Sequence, residues 1–329
     1  QGSGIRGGRV NIARVVSLMI GWLVVAGVQA QAFPAKPIRF MVPYAPGGVA
    51  DITARLLAVK LSERLGQQIL IENRPSAGLV VASEIVARSE PDGHTWLLSG
   101  NGSALSVSMF AKLPYDVLTD FVHVTTMGTF DLAILVAGDS KLATTADLLA
   151  YARANPGKLN IGTISIGSTQ HLAAELFKSM ANIDAQTVPF KASGAVVTAL
   201  RGGEVQAMVE ILAPVIAQIR AGALRAVAVT NDQRFAGLPS VPTLAESGVP
   251  GFQASSWNGI SVPAKTPRAI VDRIAAEVAR AVAEPDVAAK MQDLGISPRA
   301  TTPEQMRALM ISDIAKWKAV IERAKIERQ

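Results

Sequence analysis

The chain has 329 residues, 49% of them apolar and 18% charged, which excludes a largely disordered protein and leaves room for two domains of ordinary size. It has no cysteine and three histidines, which removes thiol catalysis, thiolate metal sites and disulfides and nearly removes a multi-histidine metal centre. The formal charge is +6, but Arg6, Arg9 and Arg14 supply three of the 32 basic residues; the other 29 face 26 acids with no Lys/Arg block, so nucleic acid is not an expected partner.

Those three arginines precede an uncharged run, VVSLMIGWLVVAGV, over positions 15–28, and small residues follow up to Ala30 and Ala32. This is the order of a secretory signal, so residues 1–32 are expected to be a cleavable signal peptide that directs the protein to the periplasm, cut after Ala30 or Ala32. Fourteen residues rise about 21 Å as a helix, short of a hydrocarbon core of roughly 30 Å, which argues against an uncleaved anchor.

Beyond the signal, short apolar runs alternate with helical patterns. Strands are expected at 38–42, 68–71, 95–99, 133–136, 159–163, 185–189, 205–209 and 224–229. Helices are expected between them at 51–65, 79–89, 145–154, 169–181, 194–201 and 214–221. Such alternation predicts an α/β protein built on parallel sheet with covered faces. Prolines 239, 242, 250, 263 and 267 then punctuate a loop-rich stretch, and three helices near 267–283, 286–294 and 303–328 close the chain. Nearly 300 residues is large for one doubly wound sheet, so two are expected. The first lobe would take 33–136 plus 256–329 and the second 137–255, joined by a two-segment hinge with the ligand site in the cleft between them.

Four segments carry chemistry. In the first, Tyr44, Ala45, Pro46, Gly47, Gly48 and Val49 link a strand to a helix, with Asp51 near its start. A glycine pair at a helix N-terminus brings unpaired N–H groups close to an anion, although a tight turn with an ordinary capping aspartate has the same pattern. No Walker lysine and no G-x-G-x-x-G follows, so a nucleotide loop is not indicated. In the second, Gly167, Ser168 and Thr169 open another helix after a strand and form a second anion seat or a plain cap. His171 lies one turn along the same helix as Ser168, a poor approach for a general base, and G-x-S-x-G is absent.

In the third, a strand ends before Gly100-Asn101-Gly102-Ser103, where Asn101 would share the rim with Gly47 or sit in a surface turn. In the fourth, Glu210 ends a strand, where it would face a ligand hydroxyl or ammonium or be a paired carboxylate. Lys191, Arg55, Arg74 and Arg201 are candidates to meet ligand charge.

The residues taken together resemble a known family. The run Pro43-Tyr44-Ala45-Pro46-Gly47-Gly48-Val49-Ala50-Asp51, Glu72-Asn73-Arg74-Pro75, Asn155-Pro156-Gly157-Lys158-Leu159, Gly167-Ser168-Thr169-Gln170-His171-Leu172, Val188-Pro189-Phe190-Lys191 and Gly248-Val249-Pro250-Gly251-Phe252 look like the periplasmic solute receptors of tripartite tricarboxylate transporters, the Bug proteins. The resemblance implies a two-lobed Venus-flytrap, or periplasmic-binding-protein, fold with two doubly wound sheets. It implies that the loops at 45–49 and 167–169 embrace one carboxylate, partly through bridging waters. It also implies a monomeric receptor without cofactor, metal or catalytic residues, which binds a small mono- or dicarboxylate. The partner would be the membrane components of a tripartite transporter; a sensor protein is the alternative, and a periplasmic hydrolase or isomerase using Ser168, His171 or Glu210 the remaining one. Three departures bear on selectivity: Leu79 where a second glycine after Gly78 is usual, Glu210 where aspartate is common, and Phe190-Lys191-Ala192 in place of Tyr-Lys-Gly.

Overall fold

The computed structural model describes residues 33–76 and 79–328, together with Gly2 and Gly4. The expected signal peptide, apart from those two glycines, and Ala77-Gly78 lie outside the described residues. Leu79, the departure that follows them, is described: it precedes a helix at φ 60°, the left-handed region that a glycine enters without a Cβ penalty. Among the described residues no helix is long and apolar enough to cross a membrane.

The first half-sheet grows as expected. β1 (Ile38–Val42) pairs in parallel with β2 (Ile69–Asn73) and β3 (Thr95–Gly100). Helix α1 (Val49–Leu65) packs its buried Ala54, Leu57 and Leu61 against them. α2 (Val80–Ala87) follows β2, and α3 (Asn101–Met109) starts directly at the end of β3. The second half-sheet holds β5 (Leu159–Ile164), β6 (Ala185–Phe190), β7 (Ala207–Ile211) and β8 (Leu224–Val229). Its helices are α4 (Thr145–Ala154), α5 (Thr169–Ala181), α6 (Ser193–Arg201) and α7 (Ile216–Arg220).

The parallel expectation needs correction where the halves meet. The run at 133–136 is the tail of a 17-residue strand, β4 (Phe121–Ala137), and the crossing segment is a second strand, β9 (Ser255–Pro263). These two pair antiparallel, from Phe121 opposite Pro263 to Asp131 opposite Ser255. Beyond Asp131, β4 pairs antiparallel with β7 and β8 instead. One strand therefore belongs to both halves, and the strand order β2-β1-β3-β9-β4-β7-β5-β6 runs through it. Alternation missed β4 because nearly every residue in it is buried on both faces, so no period-2 pattern shows. The chain ends with α8 (Arg268–Ala283), α9 (Pro285–Asp293), a short β10 (Ile296–Pro298) on β4, and α10 (Pro303–Arg323).

Asp131 marks the changeover and is 2% exposed. Asn231 donates to its Oδ1 at 2.6 Å, Ser297 donates to Oδ2 at 3.3 Å, and its carbonyl accepts from Leu212 N–H at 2.9 Å. Burial pushes its carboxyl upward against the two hydrogen bonds. Nearby, Ser99 Oγ lies 2.6 Å from Ser261 Oγ, which lies 2.9 Å from His123 Nδ1, so these three side chains form a polar chain inside the sheet.

Burial pushes the pKa of His123 down from 6.5 to about 4. A base with a depressed folded pKa stabilises fully above its unfolded value and loses that contribution as pH falls towards the folded one. Between pH 6.5 and 4 this one residue should therefore cost roughly 3 kcal/mol of stability. Urea unfolding of His123→Asn against the parent should show a flatter profile across that window; parallel profiles would reject the assignment.

Candidate functional site

The loop between β1 and α1 is held from behind. Gly47 adopts φ 83°, the left-handed region that glycine enters without a Cβ penalty, and its N–H donates to Asp51 Oδ2 at 2.9 Å. Arg55 Nε donates to the same oxygen at 2.9 Å, and Asn73 Nδ2 donates to Asp51 Oδ1 at 2.9 Å and to the Tyr44 carbonyl at 3.0 Å. Asp51 is thus a buried brace, with Gly48 as the N-cap in extended backbone and no side-chain cap bond. The first-turn N–H groups of a helix lack intrahelical acceptors, so those of α1 remain available.

The second loop mirrors the first. Gly167 has φ 78°, and a Cβ there would meet Met109 Cε at 2.6 Å, so α3 approaches this loop closely. Ser168 caps α5: its hydroxyl accepts from His171 N–H at 3.1 Å and donates to the Ile164 carbonyl at 2.8 Å. Gly167 N–H points to His171 Nδ1 at 3.4 Å. The serine and the imidazole are thereby committed to backbone, not to each other, and no Ser–His dyad forms.

Both helix starts open on one cavity of about 400 Å³. Tyr44, Val49, Gly167, Ser168 and Thr169 line it, and an adjoining compartment of about 390 Å³ is lined by Gly47, Gly48, Val49 and Glu210. Val49, Gln170 and Ile211 border both. Tyr44 presents a neutral phenol, its pKa pushed up to about 12 by burial and secondarily by Tyr115. Glu210 is 1% exposed; its Oε1 accepts from Gln170 Nε2 at 2.7 Å and from Ile211 N–H at 2.8 Å, while Oε2 has no hydrogen-bond partner.

The other residues expected at the site are placed differently. Ala45 and Pro46 are exposed on the loop and line neither compartment. Lys191 is exposed after β6 and also lines neither. Asn101, expected on a rim or surface turn, is the fully buried first residue of α3. It donates to Thr169 Oγ1 at 2.7 Å and accepts from Trp317 Nε1 at 2.6 Å, which uses both ends of its amide.

Sequence reasoning missed Gln170, Ser256 and Asn258, and the apolar wall of Leu105, Met109, Phe110 and Phe130. Gln170 stands beside the noted hydroxyl loop and was legible as a first-turn residue; the wall reads as ordinary core. Among the described residues no group of three or more His, Asp or Glu is arranged to hold a metal.

The model of the family described as "Tripartite tricarboxylate transporter family receptor" matches residues 53–326. A protein of Pseudomonas sp. strain P51, named for the tcbD-tcbE intergenic region, is 35% identical over 95% of this chain and 94% of its own. A structure of R. palustris Rpa4515 with adipate is 32% identical with a TM-score of 0.76, over 90% of this chain and all of that one. MatC of Rhodopseudomonas palustris with bound malate is 30% identical with a TM-score of 0.71, over 88% of this chain and all of its own. A match of this extent, on a two-lobed α/β fold with paired helix starts at one cleft, has one meaning: the chain belongs to the tripartite tricarboxylate transporter receptor family of solute-binding proteins.

Proposed function

We propose that the protein is a periplasmic receptor that captures a small mono- or dicarboxylate between its lobes and delivers it to the membrane components of a tripartite transporter. Lobe 1 comprises 33–136 with 256–329, and lobe 2 comprises 137–255. The observation that carries the reading is the convergence of two helix N-termini, at Val49 and Thr169, on one cavity. Each offers free N–H groups and a partial positive charge, which together suit one carboxylate without a cationic side chain. Two relatives seen with adipate and malate support the same ligand class. A sensing role has no observation of its own in favour of it, and the committed hydrogen bonds of Ser168 and His171 speak against hydrolysis.

Calorimetry of the purified chain against a panel of carboxylates should give stoichiometric binding, with ligand recovered unchanged. Gly47→Val places a β-branched residue at φ 83°, costing roughly 1–2 kcal/mol of local backbone energy and tilting the loop's N–H groups. Affinity should drop about tenfold or more. Retained affinity in this variant, or consumption of the ligand, would reject the proposal.

A further inference from the structure

Resting on that reading, we infer that the ligand is an amphipathic monocarboxylate, with an aryl or alkyl body against the lobe 1 wall, and not a dicarboxylate. Past the two helix starts the cavity is walled by Leu79, Leu105, Met109, Phe110 and Phe130. Leu105 and Met109 stand four residues apart, on one face of α3, so the helix presents a continuous apolar strip. Among the described residues no Lys, Arg or His lines either compartment.

A second carboxylate reaching this wall would exchange water for apolar side chains, and an ionised group without a partner is the most costly thing to desolvate. Turning towards the adjoining compartment would bring it to Glu210, an acid that is 1% exposed. Whichever way its far end turns, a dianion meets either apolar side chains or a buried carboxyl, and no cation in either place. The remaining polar neighbours, Ser106, Ser256 and Asn258, are neutral and can serve a hydroxyl or ether on the ligand body.

The rim points the same way. Ile166 sits between the end of β5 and Gly167, lines the cavity and is 58% exposed. An apolar ligand body would remove that surface from water, whereas a charged one placed there would be desolvated against a side chain that cannot pair with it. The cavity volume suits a single ring or a short chain.

The test compares hexanoate with adipate, which differ only in the far terminus, alongside phenylacetate and 1-hexanol, by calorimetry on the full chain. Hexanoate and phenylacetate should bind at least about tenfold more tightly than adipate, and hexanol should not bind measurably. In Phe110→Arg, checked for an unchanged unfolding midpoint, the preference should swing towards adipate because the wall then carries a cation. Adipate binding as tightly as hexanoate in the parent protein would overturn this inference and leave the carboxylate receptor standing. Failure of all three acids to bind, or hexanol matching hexanoate, would overturn the receptor reading as well.

Discussion

Asp51→Ala should lower stability by roughly 3 kcal/mol and weaken ligand binding by more than tenfold, the largest effect expected of any single change in the first loop. The carboxylate is 2% exposed and receives Gly47 N–H, Arg55 Nε and Asn73 Nδ2. Truncation removes the acceptor for all three. It leaves Asn73 Nδ2 with only the Tyr44 carbonyl as acceptor and frees Gly47 to leave its left-handed conformation. The loop would then have to be ordered at the expense of binding energy, so affinity and stability fall together. Asp51→Asn should lie between the two, since it keeps an acceptor for Gly47 but faces an amide towards Arg55.

The pH dependence of this brace has a definite sign. Burial raises the Asp51 pKa, but the Arg55 bond, the Gly47 N–H and the Asn73 amide together outweigh it and hold the carboxyl below 3.8. The stabilisation is therefore complete above the unfolded value and is lost as pH falls through the lower folded one. Urea titrations at neutral pH and at pH 3 would show a smaller gap between parent and Asp51→Ala at the acid end. An Ala variant that keeps affinity and stability within about 0.5 kcal/mol would remove Asp51 from its role as the loop's anchor.

The two loops were legible because their signals are local. A strand, a glycine that needs positive φ and a helix start are written within ten residues at 40–50 and again at 161–170. Expected helices at 145–154 and 169–181 match the observed bounds, since Thr144 and Ser168 act as the caps their residue types favour. What was not legible is non-local. β9 reads as a proline-flanked connector until β3 and β4 supply its neighbours. Helix α3 starts in the glycine-flanked Asn101, whose small polar neighbours look like a turn; packing against α10 is what makes this a helix. The cavity wall escaped for the same reason, because Leu105, Met109 and Phe130 become a surface only once two lobes face each other.

Asn101 illustrates how a polar residue at the right rim can serve as a strut. Trp317 is fully buried, and its indole N–H has Asn101 Oδ1 as its acceptor at 2.6 Å. The other end of the same amide crosses to Thr169 on the first turn of α5, so lobe 1, the last helix and the second anion seat share one side chain. Asn101→Ala should cost roughly 3 kcal/mol, since it strands a buried donor as well as deleting two hydrogen bonds. Trp317→Phe strands the Asn101 carbonyl oxygen in its turn and leaves a cavity in the core, so it should cost a similar amount, and the double variant should show a coupling of about 1 kcal/mol or more. A residue that touched only the ligand would behave otherwise: its removal would weaken binding and leave the unfolding midpoint in place. Measuring both quantities on Asn101→Ala separates the two roles, and a stability change under about 0.5 kcal/mol with lost affinity would return Asn101 to the ligand.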